Sequence, residues 1–539
     1  MLVSRWFTLF LTDENIRFCG VSFDEQIPLI TAPVGYGKTQ YSLRYLPSRI
    51  AYESGREVRN ALYLTPNKAI LEQVIKDNKD HVNKASNWDF VESAFTDGDI
   101  RIDVACFQFP SRFVFDGNEI TKEYDLLVID EIDQIVKWSV CFVSTLSLWD
   151  WIQSKRREMI VCGLTATPDL LLDWVNEFSD FRFVDICERL EPKYQTDLVK
   201  VYSGLKSKTY LQAMLDGLPG KTLVYCQSAK ECFELSRMFE RSGFIVSEYN
   251  STVPEDERKS LSELMNEQVF EGCSLRQYVL KNERFPSNID ALFINDSCSC
   301  GMSIKDDEVR NIVCASDDLD IIKQVQGRVR HGIDNFVVLF TRYAMNEFQE
   351  NVWEPFEKFC DKCESEEWLS NRFESNERVR QELTKKGQSP DFYIDCYRSS
   401  NGSIKENPFY AALVQYKESR YSLLGESQED YFKELSTFAK GGQVFFGDSD
   451  EIRNRKYAAN KNSGVDFVSA LGLDGEEKKL FTSQEMTAIA KMAKVLKPSG
   501  KDYAGKATFI DLANKSGKVI ISKRTIRRKT CYEAQKTGG

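Results

Sequence analysis

A glycine-rich segment that ends in lysine and threonine is the first part of this sequence that could perform chemistry. Its residues are Ala32, Pro33, Val34, Gly35, Tyr36, Gly37, Lys38 and Thr39. Glycines let backbone amides approach phosphate oxygens, a lysine can reach the β and γ phosphates, and a threonine hydroxyl can bind Mg²⁺. The usual phosphate loop has a glycine where this chain has Ala32, so the segment alone also fits a structural glycine turn.

Two adjacent carboxylates, Asp130 and Glu131, follow the apolar run "LLVI". The run predicts a buried strand, which delivers both carboxylates to the sheet edge where open α/β folds bind ligands. Asp130 could hold Mg²⁺, and Glu131 could orient and deprotonate an attacking water. The first turn of a solvent-exposed acidic helix would explain the two charges equally well. It would not explain why they follow a Gly-Lys-Thr sequence at a distance of about one mononucleotide-binding fold.

A third polar segment, "GLTATP", also follows an apolar run and places Thr165 and Thr167 on either side of Ala166. Two threonines at the end of a strand could sense a γ-phosphate through water. The alternative is a hydroxyl-rich turn with no role in chemistry.

The elements that position these residues are visible as a repeating pattern. Between residues 25 and 190 short apolar runs alternate with helical patterns, and the same alternation restarts after Lys221. Such a pattern predicts parallel sheets covered by helices on both faces, and therefore two α/β domains in tandem. Residues 346–480 mix aromatic and charged residues, and we expect this region to be mainly helical.

In their order and spacing, "APVGYGKT", "DEID" and "LTATP" resemble motifs I, II and III of superfamily 2 helicases and translocases, in which motif I tolerates the missing glycine. "FINDSCSCGMSI" resembles motif V, and "QVQGRVRH" resembles motif VI. "ALYLTPNKAILEQV" resembles motif Ia, which implies that Thr65 and Pro66 contact a nucleic-acid strand. The resemblance covers about residues 25–345 and implies two RecA-like domains that bind ATP and Mg²⁺.

The resemblance also assigns the site residues. It implies that the loop Ala32 to Thr39 and Gly301 bind the nucleotide, and that Thr39 and Asp130 bind the metal. The catalytic set that it implies is Lys38, Asp130, Glu131, Gln324, Arg328 and Arg330. Motif VI usually ends in arginine, whereas this chain has His331 there and Arg330 one residue earlier, so the identity of the second arginine finger stays open.

The charge of the chain is divided unevenly. The net charge is −11, but residues 481–539 carry 10 Lys and 3 Arg against 2 Asp and 2 Glu, which gives +9 there and −20 elsewhere. The 15 cysteines lie mostly in apolar runs and indicate reduced core thiols, so we expect a cytoplasmic or nuclear protein. No run approaches the roughly 20 apolar residues that span a bilayer, and we expect no membrane partner.

The basic C-terminal segment has a pattern of three short helices, the first opening with a capping box at Thr482 and Glu485. The last predicted helix begins near Ser522 and resembles the recognition helix of a helix-turn-helix module. Its basic residues are Lys523, Arg524, Arg527, Arg528 and Lys529, and the resemblance implies that the first four bind nucleic acid. The alternative is a basic helical tail with non-specific affinity only.

These observations predict four regions: RecA-like domains at 1–195 and 196–345, a mainly helical accessory region at 346–480, and a basic helix-turn-helix-like DNA-binding domain at 481–539. The expected function is that of an ATP-dependent DNA helicase or translocase. The form of motif VI and the separate basic tail resemble herpesvirus origin-binding helicases and plasmid or phage replication helicases. An RNA helicase and an ATP-switched DNA-binding regulator remain alternatives, and partner subunits in a nucleic-acid-processing complex are compatible with each.

Overall fold

The structure is a computed structural model of the 539-residue chain. It divides into two compact units, the larger comprising Met1–Val201, Gly220–Ser236 and Arg241–Phe445, and the smaller Tyr202–Pro219, Arg237–Glu240 and Phe446–Gly539. The residues described are 11–66, 68–77, 93–97, 99–107, 123–190, 195–203, 214–215, 217–239, 241–246, 268–295, 302–316, 318–340, 353, 356–357, 366–385, 394–399, 401–425, 428–446, 467–473, 477–493, 506–515, 518–526 and 529–536.

The first sheet of the larger unit contains seven strands in the order β3-β4-β2-β5-β6-β1-β7. Their bounds are β1 Ile27–Ile30, β2 Asn60–Thr65, β3 Ser93–Asp97, β4 Ile100–Cys106, β5 Leu126–Ile129, β6 Ile160–Leu164 and β7 Phe183–Asp185. Every pairing is parallel except that of β3 with β4. All residues of β1, β5 and β6 are buried, as continuous apolar runs predict for a sheet covered on both faces.

Helices cover both faces of this sheet, and the two faces belong to separate hydrophobic clusters. The helices are Lys38–Arg44, Leu46–Ser54, Lys68–Asp77, Asp133–Ser139, Val143–Lys155, the π-helical Leu170–Val175 and Asn176–Phe178, preceded by a 3-10 turn at Asp13–Asn15. The predicted parallel α/β fold of this domain is confirmed.

The second sheet of the larger unit also has seven strands, in the order β10-β13-β9-β14-β15-β8-β18. The strands in this part of the chain are β8 Thr196–Ser203, β9 Lys221–Tyr225, β10 Ser242–Ile245, β11 Val269–Phe270, β12 Cys273–Ser274, β13 Ala291–Ile294, β14 Val309–Cys314, β15 Ile333–Phe340, β16 Cys396–Arg398, β17 Ile404–Glu406 and β18 Val444–Phe446. The pairings from β10 through β15 in this order are parallel. The helices between these strands are Ala229–Ser236, Leu275–Asn282 and Leu319–Gln326.

The described part of residues 346–446 contains three helices and three short strands. Helices Glu366–Lys385, Tyr410–Gly425 and Gln428–Ser436 are present with a 3-10 turn at Lys440–Gly442, but β16 and β17 form an antiparallel hairpin and β18 joins the second sheet. Phe409 packs against Trp149 and Phe181 of the first domain, with ring centroids 4.9 and 5.7 Å apart. This part of the chain therefore helps to build the core of the first domain. Among the described residues, no helix has both the length and the apolar character needed to cross a membrane.

The smaller unit combines short helices with a three-stranded antiparallel sheet. Its elements are the helix Phe467–Ala470, β19 Lys478–Thr482, the helices Ser483–Met492 and Lys506–Lys515, β20 Val519–Ile526 and β21 Lys529–Lys536, and the strand order is β19-β21-β20. The predicted capping box is confirmed, because the Glu485 amide donates to the Thr482 hydroxyl and the Glu485 carboxylate accepts from the Thr482 amide.

The predicted third helix, from Ser522 onward, is wrong. Lys523 and Arg524 lie on β20, which pairs with β21 along its whole length. The physical reason is that burial alternates from residue to residue at the start of β20, as it does in a strand. Val519 and Ile521 are buried, while Ile520 between them is 54% exposed. Arg527 and Arg528 lie outside the described residues. The described residues 519–526 and 529–536 therefore form strands and no recognition helix.

Candidate nucleotide-binding site

The glycine-rich loop connects β1 to the helix Lys38–Arg44, as a phosphate loop does. Gly35 and Gly37 have φ angles of 93° and 75°, a left-handed conformation that glycine adopts without steric cost. Gly37 caps the helix, so the loop aims the amides of the first turn at a ligand. The Lys38 ammonium is buried and donates a 2.7 Å hydrogen bond to the Ala32 carbonyl oxygen.

The acidic pair follows β5 at the carboxyl edge of the first sheet, as predicted. The Asp130 amide donates to the Leu64 carbonyl at 2.8 Å, which fixes the backbone at this point. Glu131 has a φ of 48°, a left-handed conformation that costs a non-glycine residue about 1–3 kcal/mol. Its Oε2 is buried and has no hydrogen-bond partner among the described residues. Strain and an unpaired carboxylate oxygen together indicate a functional position.

Electrostatic effects show that the loop lysine and the acidic pair are neighbours. Burial lowers the pKa of Lys38, the charges of Glu131 and Asp130 act in the opposite direction, and those of Arg330 and Arg328 lower it further. Burial and the Glu131 charge raise the pKa of Asp130 to about 7, although Lys38 opposes this shift. A carboxylate that is buried beside another acid gains most from a bound cation.

The second domain contributes the arginines. The helix Leu319–Gln326 ends at Gly327, and a Cβ on Gly327 would lie only 2.5 Å from the Val34 Cβ in the loop. Glycine thus permits the close approach of the two domains here. Arg328 is 4% exposed, and its Nε and Nη2 have no hydrogen-bond partner in the described part of the chain. Arg330 donates from Nε to the Ser303 hydroxyl at 3.2 Å.

The remaining predicted site residues lie in different surroundings. Gln324 is buried within the helix that precedes the arginines, and the His331 Nε2 lies 2.9 Å from the Val309 carbonyl oxygen, a contact inside the second domain. Thr65 and Pro66 are buried at the end of β2, so their proposed contact with nucleic acid stays a prediction. Gly301 lies outside the described residues.

Two residues that sequence reasoning missed also belong to this site. Asp133 is fully buried and accepts hydrogen bonds from Thr165 at 2.7 Å and from Thr167 at 2.9 Å, so it joins the acidic segment to the two threonines. Tyr63 is fully buried on β2, and burial together with the Asp130 charge raises its pKa well above the usual range. Asp133 could have been found as the fourth residue of "DEID", whereas Tyr63 carried no signal within its apolar strand.

The residues present fit a magnesium nucleotide. The Thr39 hydroxyl and the Asp130 carboxylate are hard oxygen donors, and two protein ligands suffice because Mg²⁺ usually keeps waters and phosphate oxygens. The unpaired guanidinium atoms of Arg328 and the ammonium of Lys38 supply positive charge for phosphates. When bound, Mg²⁺ neutralises phosphate charge.

A comparison with known protein families identifies the domain that contains the phosphate loop and the acidic pair. Residues 20–173 match the sequence profile of the DEAD/DEAH box helicase family. The chain therefore contains a DEAD/DEAH helicase domain of superfamily 2, and its predicted class, a nucleic-acid-dependent ATPase that uses ATP with Mg²⁺, is confirmed. The match includes the loop, the acidic pair and the two threonines, so all of the first domain's candidate residues lie in the helicase domain.

Solved structures of helicases also resemble the chain. The Saccharomyces cerevisiae protein Dbp5 bound to RNA and ADP BeF3 is 12% identical, covers 59% of this chain and 79% of its own, and has a TM-score of 0.38. The Escherichia coli DEAH/RHA helicase HrpB is 13% identical with coverages of 93% and 62% and a TM-score of 0.38. The Mycobacterium smegmatis helicase Lhr bound to ssDNA and AMP-PNP is 11% identical with coverages of 59% and 44% and a TM-score of 0.35. No curated protein matches. All three TM-scores are below 0.5, so the assignment of the helicase domain rests on the family match alone.

Proposed function

We propose that this protein is an ATP-driven nucleic-acid translocase in which hydrolysis is coupled to movement between the two α/β domains. One observation carries the proposal. Gly327 of the second domain lies directly against Val34 of the phosphate loop, and the arginines that follow Gly327 act electrostatically on Lys38. A catalytic site that needs groups from both domains is active only when the domains are closed.

The proposed roles follow from position and chemistry. Lys38 binds the phosphates, and Glu131 orients the attacking water and accepts its proton. Arg328 and Arg330 neutralise the charge that develops on the transferred phosphoryl group. Thr39 and Asp130 would hold Mg²⁺.

The smaller unit is the proposed anchor on nucleic acid. Its order of helix, strand, helix, helix and two strands, with the sheet order β19-β21-β20, is that of winged helix-turn-helix modules. In that arrangement the helix Lys506–Lys515 takes the place of the second helix of the motif, and β20 with β21 forms the wing. Lys518 and Lys523 are exposed, which suits contact with phosphates. Arg524 pairs with Glu533 across β20 and β21.

DNA and RNA both remain candidate substrates. The role in replication initiation was inferred from the form of motif VI and from a basic tail whose last helix, at residues 523–535, would be the recognition helix. The described residues there, 519–526 and 529–536, form strands instead. The DNA-specific role therefore loses its main support and is not part of this proposal.

The test compares ATP hydrolysis with single-stranded DNA, duplex DNA and RNA at equal nucleotide concentration. We expect at least one of these nucleic acids to stimulate ATP turnover. We also expect the protein to unwind that nucleic acid or to move along it, and Lys38→Ala is the inactive control. Hydrolysis that no nucleic acid stimulates would refute the proposal. Nucleotide-dependent binding without strand separation or movement would favour the ATP-switched regulator.

The anchor is tested separately through the salt dependence of binding to duplex DNA. If Lys518 and Lys523 each contact one phosphate, the double alanine variant should flatten the slope of log affinity against log salt by about 1.8, at roughly 0.9 per contact. ATP hydrolysis without nucleic acid should not change. An unchanged slope would exclude these two lysines from the interface.

A further inference from the structure

A buried chain of polar contacts runs from the helicase domain into the second domain. Lys137 lies on the helix after the acidic segment, and its Nζ is 2.9 Å from the Asp133 Oδ2 and 2.8 Å from the Asp320 Oδ2. Asp133 in turn accepts from Thr165 and Thr167. Lys137 is therefore the link between the acidic segment of one domain and the helix Leu319–Gln326 of the other.

The helix Tyr410–Gly425 joins this chain of contacts from the accessory region. The Tyr416 hydroxyl donates a 2.7 Å hydrogen bond to the same Oδ2 of Asp320, and Tyr416 is only 1% exposed. Lys417, the next residue, pairs with Asp318 at the start of the same helix. Since Asp320 stands in the first turn of the helix that ends at Gly327 and leads into Arg328, Tyr416 holds the element that carries the arginine.

A second set of contacts ties the same accessory helix to the first domain. The Arg420 guanidinium lies over the Tyr416 ring, 5.1 Å from its centroid, and donates to Asp169 at 2.6 Å and to Glu434 at 2.7 Å. Asp169 directly follows the "LTATP" segment that contains Thr165 and Thr167. One helix thus contacts both the threonine segment and the arginine-bearing helix.

The Asp320 carboxylate is buried, so the hydrogen bond from Tyr416 contributes strongly to its stability. Burial by itself would raise the pKa of Asp320, but Lys137 and Lys323 hold it below its usual range, so this carboxyl is ionised. Its other oxygen, Oδ1, has no hydrogen-bond partner in the described residues. A buried carboxylate with so few donors depends strongly on each of them.

We propose that Tyr416 is a positioning residue for ATP hydrolysis. By holding Asp320 against Lys137, it fixes the helix Leu319–Gln326 so that Arg328 faces the phosphate loop. The accessory helix thereby sets the efficiency of hydrolysis without touching the nucleotide. The inference rests on the proposed function of this site.

The test compares Tyr416→Phe with a matched control, Tyr397→Phe. The Tyr397 hydroxyl donates a 2.9 Å hydrogen bond to Asp150, so the control also removes a contact between a buried tyrosine of the accessory region and a partly buried aspartate of an α/β domain. Asp150 lies on the helix Val143–Lys155, which carries none of the candidate site residues. We expect kcat to fall about tenfold in Tyr416→Phe, which is the lower end of the effect of losing a hydrogen bond to a charged group. The KM for ATP should stay within about twofold of the wild-type value. In Tyr397→Phe kcat should stay within about twofold of the wild-type value, even if Tm falls.

A double-variant comparison shows whether Tyr416 acts through Asp320. In an Asp320→Asn background, adding Tyr416→Phe should change kcat by less than about twofold, because the contact partner is already altered. Independent effects of the two substitutions, or equal kcat values for Tyr416→Phe and the control, would overturn the proposal. If either variant fails to fold, Lys417→Gln tests whether the accessory helix holds the helix Leu319–Gln326 through Asp318. We expect a smaller fall in kcat, and an unchanged kcat would count against the proposal. A wild-type protein without nucleic-acid-stimulated hydrolysis would refute the proposed function instead.

Discussion

Replacing Gly327 with alanine tests the contact between the two domains. The new Cβ would lie 2.5, 2.7 and 2.9 Å from the Cβ, Cγ1 and Cγ2 of Val34, whereas carbon atoms in contact are normally 3.5–4.0 Å apart. The φ of Gly327 is −71°, which alanine adopts without strain. The whole effect of the substitution therefore comes from pushing the arginine segment and the phosphate loop apart by about 1 Å.

The magnitude follows from that displacement. Overpacking by one methyl group costs about 1–3 kcal/mol of folding free energy, so the protein should still fold. A catalytic group misplaced by about 1 Å can lose a factor of about 100 in rate. We therefore expect Gly327→Ala to lower kcat by about 100-fold while nucleotide binding in the first domain is largely retained.

The assay measures steady-state hydrolysis, nucleotide binding and Tm side by side. Gly332→Ala is the matched control, because its Cβ would meet nothing closer than the Gln195 carbonyl oxygen at 3.5 Å. Adding Val34→Gly to Gly327→Ala removes all three close contacts and should recover part of the activity. A wild-type kcat in Gly327→Ala, or an equal loss in Gly332→Ala, would refute the closed arrangement of the domains.

Three further predictions concern single groups of the site. Lys38→Ala and Glu131→Gln should both abolish hydrolysis, but only Glu131→Gln should still bind ATP, which a binding assay beside a turnover assay will distinguish. Arg328→Ala should lower kcat by about 10³-fold or more, whereas His331→Ala should have little effect, and a severe His331 defect would contradict its assignment to packing. In the metal-free protein, Asp130 has a pKa of about 7 in place of 3.8, so it keeps a proton that the unfolded chain releases, and the free energy of unfolding should fall as pH rises through this window. Asp130→Asn should remove that dependence in thermal unfolding measured from pH 4 to 8, and an unchanged profile would contradict the shift.

Local sequence predicted those parts of the site that lie within single elements. The runs before Thr31 and Asp130 are short and wholly apolar, so the strands, the loop and the acidic pair could be placed without knowledge of the rest of the chain. The capping box at Thr482 was predictable for the same reason, since both partners lie within three residues. The predicted helix at residues 523–535 was wrong because lysine and arginine are also common in surface helices, while the pairing of β20 with β21 depends on contacts between the two strands.

The contacts between domains could not be predicted in this way. Tyr416 and Asp320 are 96 residues apart, and neither residue stands out in its own segment. Asp150 and Tyr397 are 247 residues apart. Such contacts depend on tertiary packing, so local periodicity gives no information about them. The sequence therefore predicted only a mainly helical accessory region at 346–480 and not its packing against the first domain.

The packing of Phe409 against Trp149 has a consequence for biosynthesis. The hydrophobic cluster around Trp149 includes Phe183 but also Phe409 and Leu413, so the core of the N-terminal domain is completed by residues made much later. At about 5–20 residues per second, the ribosome needs roughly 10–45 s to pass from Phe183 to Phe409. During that interval the nascent domain exposes an aromatic surface, and a chain terminated after β15, at Phe340, would expose it permanently. The protein should therefore depend on chaperones during its synthesis, and shortened versions that keep every ATP-binding residue should aggregate.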